Sequence, residues 1–417
     1  MNPAFLSWGI AFAATAGVML RPFRWPEAIW AVAGAVLLVA LRLLPVSLAL
    51  QAVGKGIDVY LFLVGMMLLS ELGRREGLFD WIAVLAVNHA KSSPRKLFVL
   101  VYLVGVVVTT FLSNDAAAVV LTPAVFAAAK TANTKPLPLL YICAFIANAA
   151  SFVLPVSNPA NLVLYANHTP RLGLWLSRFA MPSVLSIVAT FVMLRWTQRR
   201  ELHGTCASGL PVDKLGANGK VALAGLGVTA VALLVVSAFD LQLGLPTAVL
   251  GVLTTSVVLI RERESPVALI SGISWSVLPL VAGLFVLVEM LAHTGVIAQL
   301  SQLLARATQD SQLAAATTSG FAVALGSNAM NNLPAGLIAS ASALQAHSPE
   351  QVIDAMLIGV DLGPNLSVTG SLATILWLLS IRREGEEVSF MQFLKIGSLV
   401  MLPALVLATG ARLLVGC

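Results

Sequence analysis

Three adjacent polar residues, Ser113, Asn114 and Asp115, interrupt an apolar stretch that begins near Leu97 and resumes as AAAVVLTP toward Ala129. Side-chain amides can donate and accept hydrogen bonds without carrying charge. A carboxylate set within an apolar segment is costly enough to be a functional hypothesis by default. The same chemistry recurs at Ser327, Asn328, Asn331 and Asn332, and again in two segments, SFVLPVSNPAN (Ser151 to Asn161) and DLGPNLSVTGSLAT (Asp361 to Thr374). These contribute Asn158, Asn161, Asp361 and Asn365, with Asn148 just ahead of the first. As a cluster the asparagines suit a small hydroxylated or ionic solute. Asp115 and Asp361, the only acids in these segments, are candidates for proton or cation coupling. Taken singly, each amide could instead join two helices, and each carboxylate could cap a half-helix.

The elements that must hold these residues follow from limb length. A crossing needs about 20 apolar residues, and the runs on either side of each polar tip are shorter. The cheapest geometry is a pair of re-entrant hairpins, 96–130 and 312–346, with tips buried in protein at mid-membrane, where irregular backbone is tolerated. The runs 137–167 and 351–380 have the opposite problem, being longer than one crossing requires. Pro155, Pro159, Gly363, Pro364 and Gly370 let each unwind in its middle and offer carbonyls and helix ends to a ligand.

Hydrophobic residues make up 58% of the 417 and charged residues 11%, more apolar surface than a soluble fold could hide. The remaining spans are expected at 4–20, 27–48, 56–73, 172–196, 220–238, 246–260, 273–294 and 389–416. Two shorter stretches, 78–90 and 296–304, are expected to lie along the interface. The fold class is therefore an all-α integral membrane protein with ten spans, two re-entrant hairpins and two broken helices. A polar linker, 197–219, separates two repeats, 1–196 and 220–417. Gly65, Glu71 and Gly77 recur as Gly283, Glu289 and Gly295, each pair 218 apart, and Ser113 and Asn114 as Ser327 and Asn328, 214 apart. Asn148 and Asn161 fall on Asp361 and Thr374, 213 apart. Five crossings per half, an odd number, put the halves in opposite orientations, as in inverted-repeat transporters. Lysines and arginines concentrate on one side if both termini lie outside, with Arg42 inside a span and Arg178 and Arg412 among the few outside. The linker and the open end of the first hairpin are then cytoplasmic, and the second hairpin opens outward.

Several classes are set aside. The net charge of +6 is spread through short loops and forms no nucleic-acid face. Cys143, Cys206 and Cys417 lack metal-ligand spacing, so no thiolate metal site is expected. No P-loop occurs and no cofactor is expected. Glu71, Glu289, His168 and His293, near span ends, read as interfacial or structural.

FLSNDAAAVVLTP, SNPANLV, SNAMNNLPAG and DLGPNLSVTGSLATILW together resemble the ArsB-type arsenite efflux permeases within the ion transporter superfamily, from about Gly65 to the C-terminus. The SND tip is shared with NhaD-type sodium/proton antiporters, whereas the MNNLP and DLGP…GSLAT combination is the more discriminating part. The resemblance implies inner-membrane export of arsenite, and usually antimonite, in exchange for protons, with an optional soluble ATPase partner. It carries site roles onto Ser113, Asn114, Asp115, Asn158, Asn161, Asn328, Asn331, Asp361, Gly363, Pro364, Ser371 and Thr374, and implies a scaffold and a transport region. Asn365 departs from a lysine expected in some relatives. Arsenious acid is a neutral triol, which amides and hydroxyls suit better than the arginine clamps that an oxyanion requires.

Overall fold

The computed structural model describes residues 3–165, 169–207, 214–239 and 241–415. His168, Asp213 and Cys417 lie outside the described residues. Among the described residues every regular element is helical. The first half runs α1 (Pro3–Leu20), α2 (Glu27–Ala40), α3 (Val46–Lys55), α4 (Ile57–Arg75), α5 (Leu78–His89), α6 (Pro94–Leu112), α7 (Asn114–Ala116), α8 (Thr122–Thr131), α9 (Leu137–Ala149), α10 (Pro159–Tyr165) and α11 (Leu172–Gln198). The second runs α12 (Ala217–Ala238), α13 (Gly244–Glu262), α14 (Val267–Gly272), α15 (Val277–His293), α16 (Val296–Asp310), α17 (Gln312–Met330), α18 (Asn332–Gln345), α19 (Glu350–Leu362), α20 (Leu372–Arg383) and α21 (Phe390–Leu414). Among the described residues five helices are long and apolar enough to cross a membrane, or seven if the pairs α3–α4, bent by 47°, and α15–α16, bent by 73°, each count as one span.

One expected span is divided. The apolar run 27–48 breaks between Ala40 and Val46, and Arg42 sits exposed in the turn with φ +55°. Hydropathy averages across this turn because its flanks are apolar. A guanidinium held at mid-span would face hydrocarbon, and Pro45, which has no N–H to donate, precedes the next helix instead of continuing the last one.

The two halves share one order of elements. Gly77 and Gly295, 218 apart, precede α5 and α16 with φ of +68° and +83°. Ser93 and Ser311, also 218 apart, cap the first hairpin limbs by accepting from Lys96 N at 3.4 Å and Ala314 N at 3.3 Å. The halves interlock. α4 packs on α13 and α2 on α15, forming one bundle with α1, α3 and α12, while α11 packs on α21 and α17 on α19 in a second bundle that holds both hairpins. Glycine makes the α4–α13 seam close: a Cβ at Gly65 would meet Thr247 O at 2.2 Å, and one at Gly251 would meet Gly65 O at 2.7 Å. Small residues at such crossings let backbones touch where no hydrophobic force drives association.

After α11 the linker folds across the base of the first hairpin. Cys206 N donates to Ser92 O at 3.1 Å and Ala207 N to Ala132 O at 2.7 Å. Lys135 Nζ meets Glu201 Oε2 at 2.5 Å, and Arg95 meets His203 Nδ1 at 3.2 Å. The strap thus ties both ends of the hairpin, and burial pushes the Cys206 thiol above its ordinary pKa.

Candidate functional site

The hairpin tips are single residues with strained backbone. Ser113 (φ +116°, ψ 163°) ends α6, and Asn331 (φ +77°, ψ 154°) ends α17. This is a region used almost only by glycine, at about 1–3 kcal/mol for any other residue. Local bonds help to hold it: Asn114 Oδ1 accepts from Asp115 N at 2.9 Å, and Asn331 Oδ1 from Leu333 N at 3.4 Å. The chain beyond Asp115 passes through a π-helical turn, Ala117–Leu121, before α8, a local feature frequent at functional sites.

The second tip corrects the repeat register. Ser327 and Asn328 remain inside α17, so Ser113 corresponds to Asn331 and Asn114 to Asn332, the same 218 that relates Gly77 to Gly295. Asn328 acts as a tie. Its Nδ2 donates to Ala324 O and Gly363 O, both at 2.8 Å, and its Oδ1 accepts from Ser367 Oγ at 2.7 Å. The 213 offset then holds across the breaks, after a shortening between α18 and α19.

Each break is an unwound segment with its own caps. Asn161 Nδ2 donates to Ser151 O at 2.8 Å and to Leu154 O and Pro155 O at 3.3 Å. Its counterpart Thr374 forms a capping box with Ser371, through Thr374 N to Ser371 Oγ and Ser371 N to Thr374 Oγ1, both 3.2 Å. Pro364 lies within a short 3-10 turn, Gly363–Leu366. Gly363 allows α17 to approach, since a Cβ there would meet Ala324 O at 2.4 Å. The breaks are also joined to each other. Asn148 Nδ2 donates to Asn365 Oδ1 at 3.0 Å, and Asn365 Nδ2 to Phe145 O at 3.0 Å. Asn158 Nδ2 donates to Asp361 Oδ1 at 2.6 Å, while Asp361 Oδ2 is buried without a protein partner.

Both tips and both breaks meet at one small cavity. Asn114 and Asp115 from the first tip, Asn332 and Leu333 from the second, and Asn158, Pro159 and Leu372 from the breaks line it, with Leu63 and Val277 closing the sides. Its volume of about 10 Å³ is roughly one water. A recess of about 80 Å³ shares Leu63, Asp115, Pro159, Val277 and Leu372 with it, adds Ser113 and is lined along α4 by Met66, Met67, Ser70 and Glu71, with Gly272 opposite. No described lysine or arginine lines either space. Asn114, Asp115 and Asn158 therefore reach the cavity, and Ser113 reaches the recess. Asn148, Asn161, Asn328, Asn331, Asp361, Gly363, Pro364, Ser371 and Thr374 do not line it and instead build or brace the frame behind it.

Three polar residues of the recess, Ser70, Glu71 and Ser274, are not among those expected at the site from sequence. Glu71, expected at an interface, is 8% exposed, accepts from Arg74 Nε at 2.8 Å and lines the recess beside Ser70. The available signal was the stripe Leu63, Met66, Met67, Ser70, Glu71, one face of α4 that turns polar at its end. The second half does not repeat this chemistry: at the 218 offset Leu333 stands for Asp115 and Val288 for Ser70. Glu289 instead pairs with exposed Lys55 at 2.7 Å.

A second buried polar group braces this bundle. Asp354 is wholly buried and accepts from Arg412 Nε at 2.6 Å and from the Tyr165 hydroxyl. Arg178 stands 3.9 Å away and bonds Glu350. Arg178 and Arg412, counted from sequence as outside charges, are thus internal to α11 and α21, 7% and 4% exposed. They leave the loop charge balance on which the orientation rests.

Residues 10–359 match the family model described as "CitMHS: Citrate transporter". Arsenical pump membrane proteins of Escherichia coli K12 and Yersinia enterocolitica are 30% and 29% identical over 364 and 362 residues, with 84% of each chain covered. In fold, the chain is similar to the crystal structure of the Alcanivorax borkumensis YdaH transporter, with a TM-score of 0.57, 17% identity, and 89% of this chain and 88% of that one covered. The chain belongs to the CitMHS family and is an ArsB-type membrane transporter.

Proposed function

We propose that this chain exports arsenite, and antimonite with it, across the inner membrane in exchange for protons, by alternating access between two inverted repeats. The observation that carries the reading is the cavity between tips and breaks, which offers three amides, from Asn114, Asn158 and Asn332, and one acid, Asp115, with no described lysine or arginine. Amides that both donate and accept fit a neutral triol. A tricarboxylate such as citrate, or an oxyanion such as arsenate, would call for cationic partners. The names of the arsenical pump relatives support the same cargo.

In this scheme Asp115 takes a proton when the cavity faces outward and releases it through the recess toward Glu71 when it faces inward. Asn114, Asn158 and Asn332 hold the solute. Asp361 communicates with the cavity through Asn158, whose amide donates to it. The strained tips at Ser113 and Asn331 fix the aim of the two short limbs. With both termini outside, the strap and the first hairpin base lie in the cytoplasm.

Everted membrane vesicles test this. A proton gradient, acid inside, should drive arsenite uptake, and retention of full gradient-driven uptake by the Asp115→Asn, Asp361→Asn double variant would defeat the coupling scheme. A sodium-driven pH response without metalloid movement would instead select a sodium/proton antiporter. Uptake that needs ATP and a soluble partner, but no ion gradient, would select the channel subunit of an ATPase-driven pump.

A further inference from the structure

We propose that the crevice between the end of α1 and α20 binds an anionic phospholipid, with its phosphate between Arg21 and Arg382 and an acyl chain along the rest. The crevice encloses about 530 Å³ and shares no lining residue with the cavity between the tips or its recess, although Val368 and Thr369 of the second break line it. Arg21, just past the end of α1, and Arg382, in the last turn of α20, both line it. Glu27 pairs with Arg21, yet Arg21 Nε is buried without a partner. Arg382 lines the same space, and no described carboxylate pairs with it. Two like charges sharing one space with a single acid leave an excess that an anion would offset, and guanidinium suits phosphate geometry.

The remaining walls exclude a simple inorganic anion as the best fit. Met19, Leu20, Val368, Ile375, Leu378 and Leu379 make the rest of the lining apolar except for Thr369. Leu20 is 75% and Leu379 36% exposed, so the apolar lining is accessible from outside the protein, as an acyl chain requires. Both arginines lie on the side that the loop charges assign to the cytoplasm, where anionic lipid headgroups attract basic residues. The position matters because α1 belongs to the first bundle, whereas α20 carries the second break. A lipid seated there touches both bodies.

Purified full-length protein in neutral detergent, exposed to phosphatidylglycerol, phosphatidylcholine or inorganic phosphate, distinguishes the sources. Native mass spectrometry should retain phosphatidylglycerol in clear excess over phosphatidylcholine, and phosphatidylglycerol, not millimolar phosphate, should raise the apparent Tm. The Arg21→Gln, Arg382→Gln pair should lose most of that retention, while Arg383→Gln, outside the crevice lining, keeps it. Leu379→Trp, which fills the apolar part with both arginines intact, should also weaken retention and keeps the test alive if the arginine pair misfolds. Equal retention of the two lipids, unchanged retention in the Leu379→Trp variant, or a phosphate effect equal to that of the lipid would overturn the proposal.

Discussion

Asn158 Nδ2 donates to Asp361 Oδ1 at 2.6 Å, and the mirror positions, Ser371 and Asn148, make the corresponding contact at 3.4 Å. Both pairs are 213 residues apart in register. Each break is thus held by a residue of the other half, and in one of the two contacts the amide acceptor has become a carboxylate.

Removing the amide should therefore silence the acid. Asn158→Ala takes the amide donor from the buried Asp361 carboxylate, a cost of about 1–3 kcal/mol for a polar group and more for a charged one. Gradient-driven uptake should fall at least about tenfold, the kinetic equivalent of ~1.4 kcal/mol. Combining Asn158→Ala with Asp361→Asn should do no more harm than the worse single variant. Additive losses would show that the two residues act separately.

The Asp354 group makes a stability prediction. Asp354→Ala would leave Arg412, 4% exposed, as an uncompensated buried charge, at about 3–5 kcal/mol. Thermal unfolding in detergent should show the loss. The double change Asp354→Leu, Arg412→Met should recover most of it, because isosteric apolar replacements of a buried pair are often neutral.

The α17–α19 seam should be as intolerant as the α4–α13 one. A Cβ at Gly359 would meet Gly320 O at 2.2 Å, whereas one at Gly326, also on α17, meets nothing within 4 Å. Gly359→Ala should lower stability by about 1–3 kcal/mol, the usual cost of overpacking, and reduce uptake. Gly326→Ala should change neither, which separates the contact from helix propensity.

Orientation can be read by labelling. In a background with Cys143, Cys206 and Cys417 replaced by serine, Ser70→Cys should react with a membrane-impermeant thiol reagent in everted vesicles and stay protected in intact cells. Labelling from outside would reverse the assignment of both hairpins.

Much of this arrangement was legible in the residues because limb length and chain breakers are local. Pro155, Pro159 and Pro364 cannot continue a helix, and the bounds 96–130 and 312–346 lie within a few residues of the ends of α6–α8 and α17–α18, although α6, at 19 residues, is itself long and apolar enough to cross a membrane. The second tip falls at Asn331, inside the expected stretch Ser327 to Asn332, but its match to the first tip shifts by four residues, from an offset of 214 to 218, for a physical reason. Asn328 and Asn331 are the same residue type, but one bonds helical carbonyls and the other adopts positive φ, and composition does not separate these uses. Arg42 was hidden by apolar neighbours on both sides. Glu71, expected as interfacial or structural, does pair with Arg74, but its place along the recess is set by neighbours that distance from a span end does not reveal. Arg178 and Arg412 looked like loop charges until Asp354, a distant acid, supplied their partner.

Leu333 stands where the repeat would place a partner for Asp115, and this limits the ledger of charge. Under the proposed exchange, a single ionisable group on the innermost cavity would pair one proton with one uncharged solute in each turnover. Such a cycle is electrogenic, so membrane voltage would drive export even when the pH on the two sides is equal.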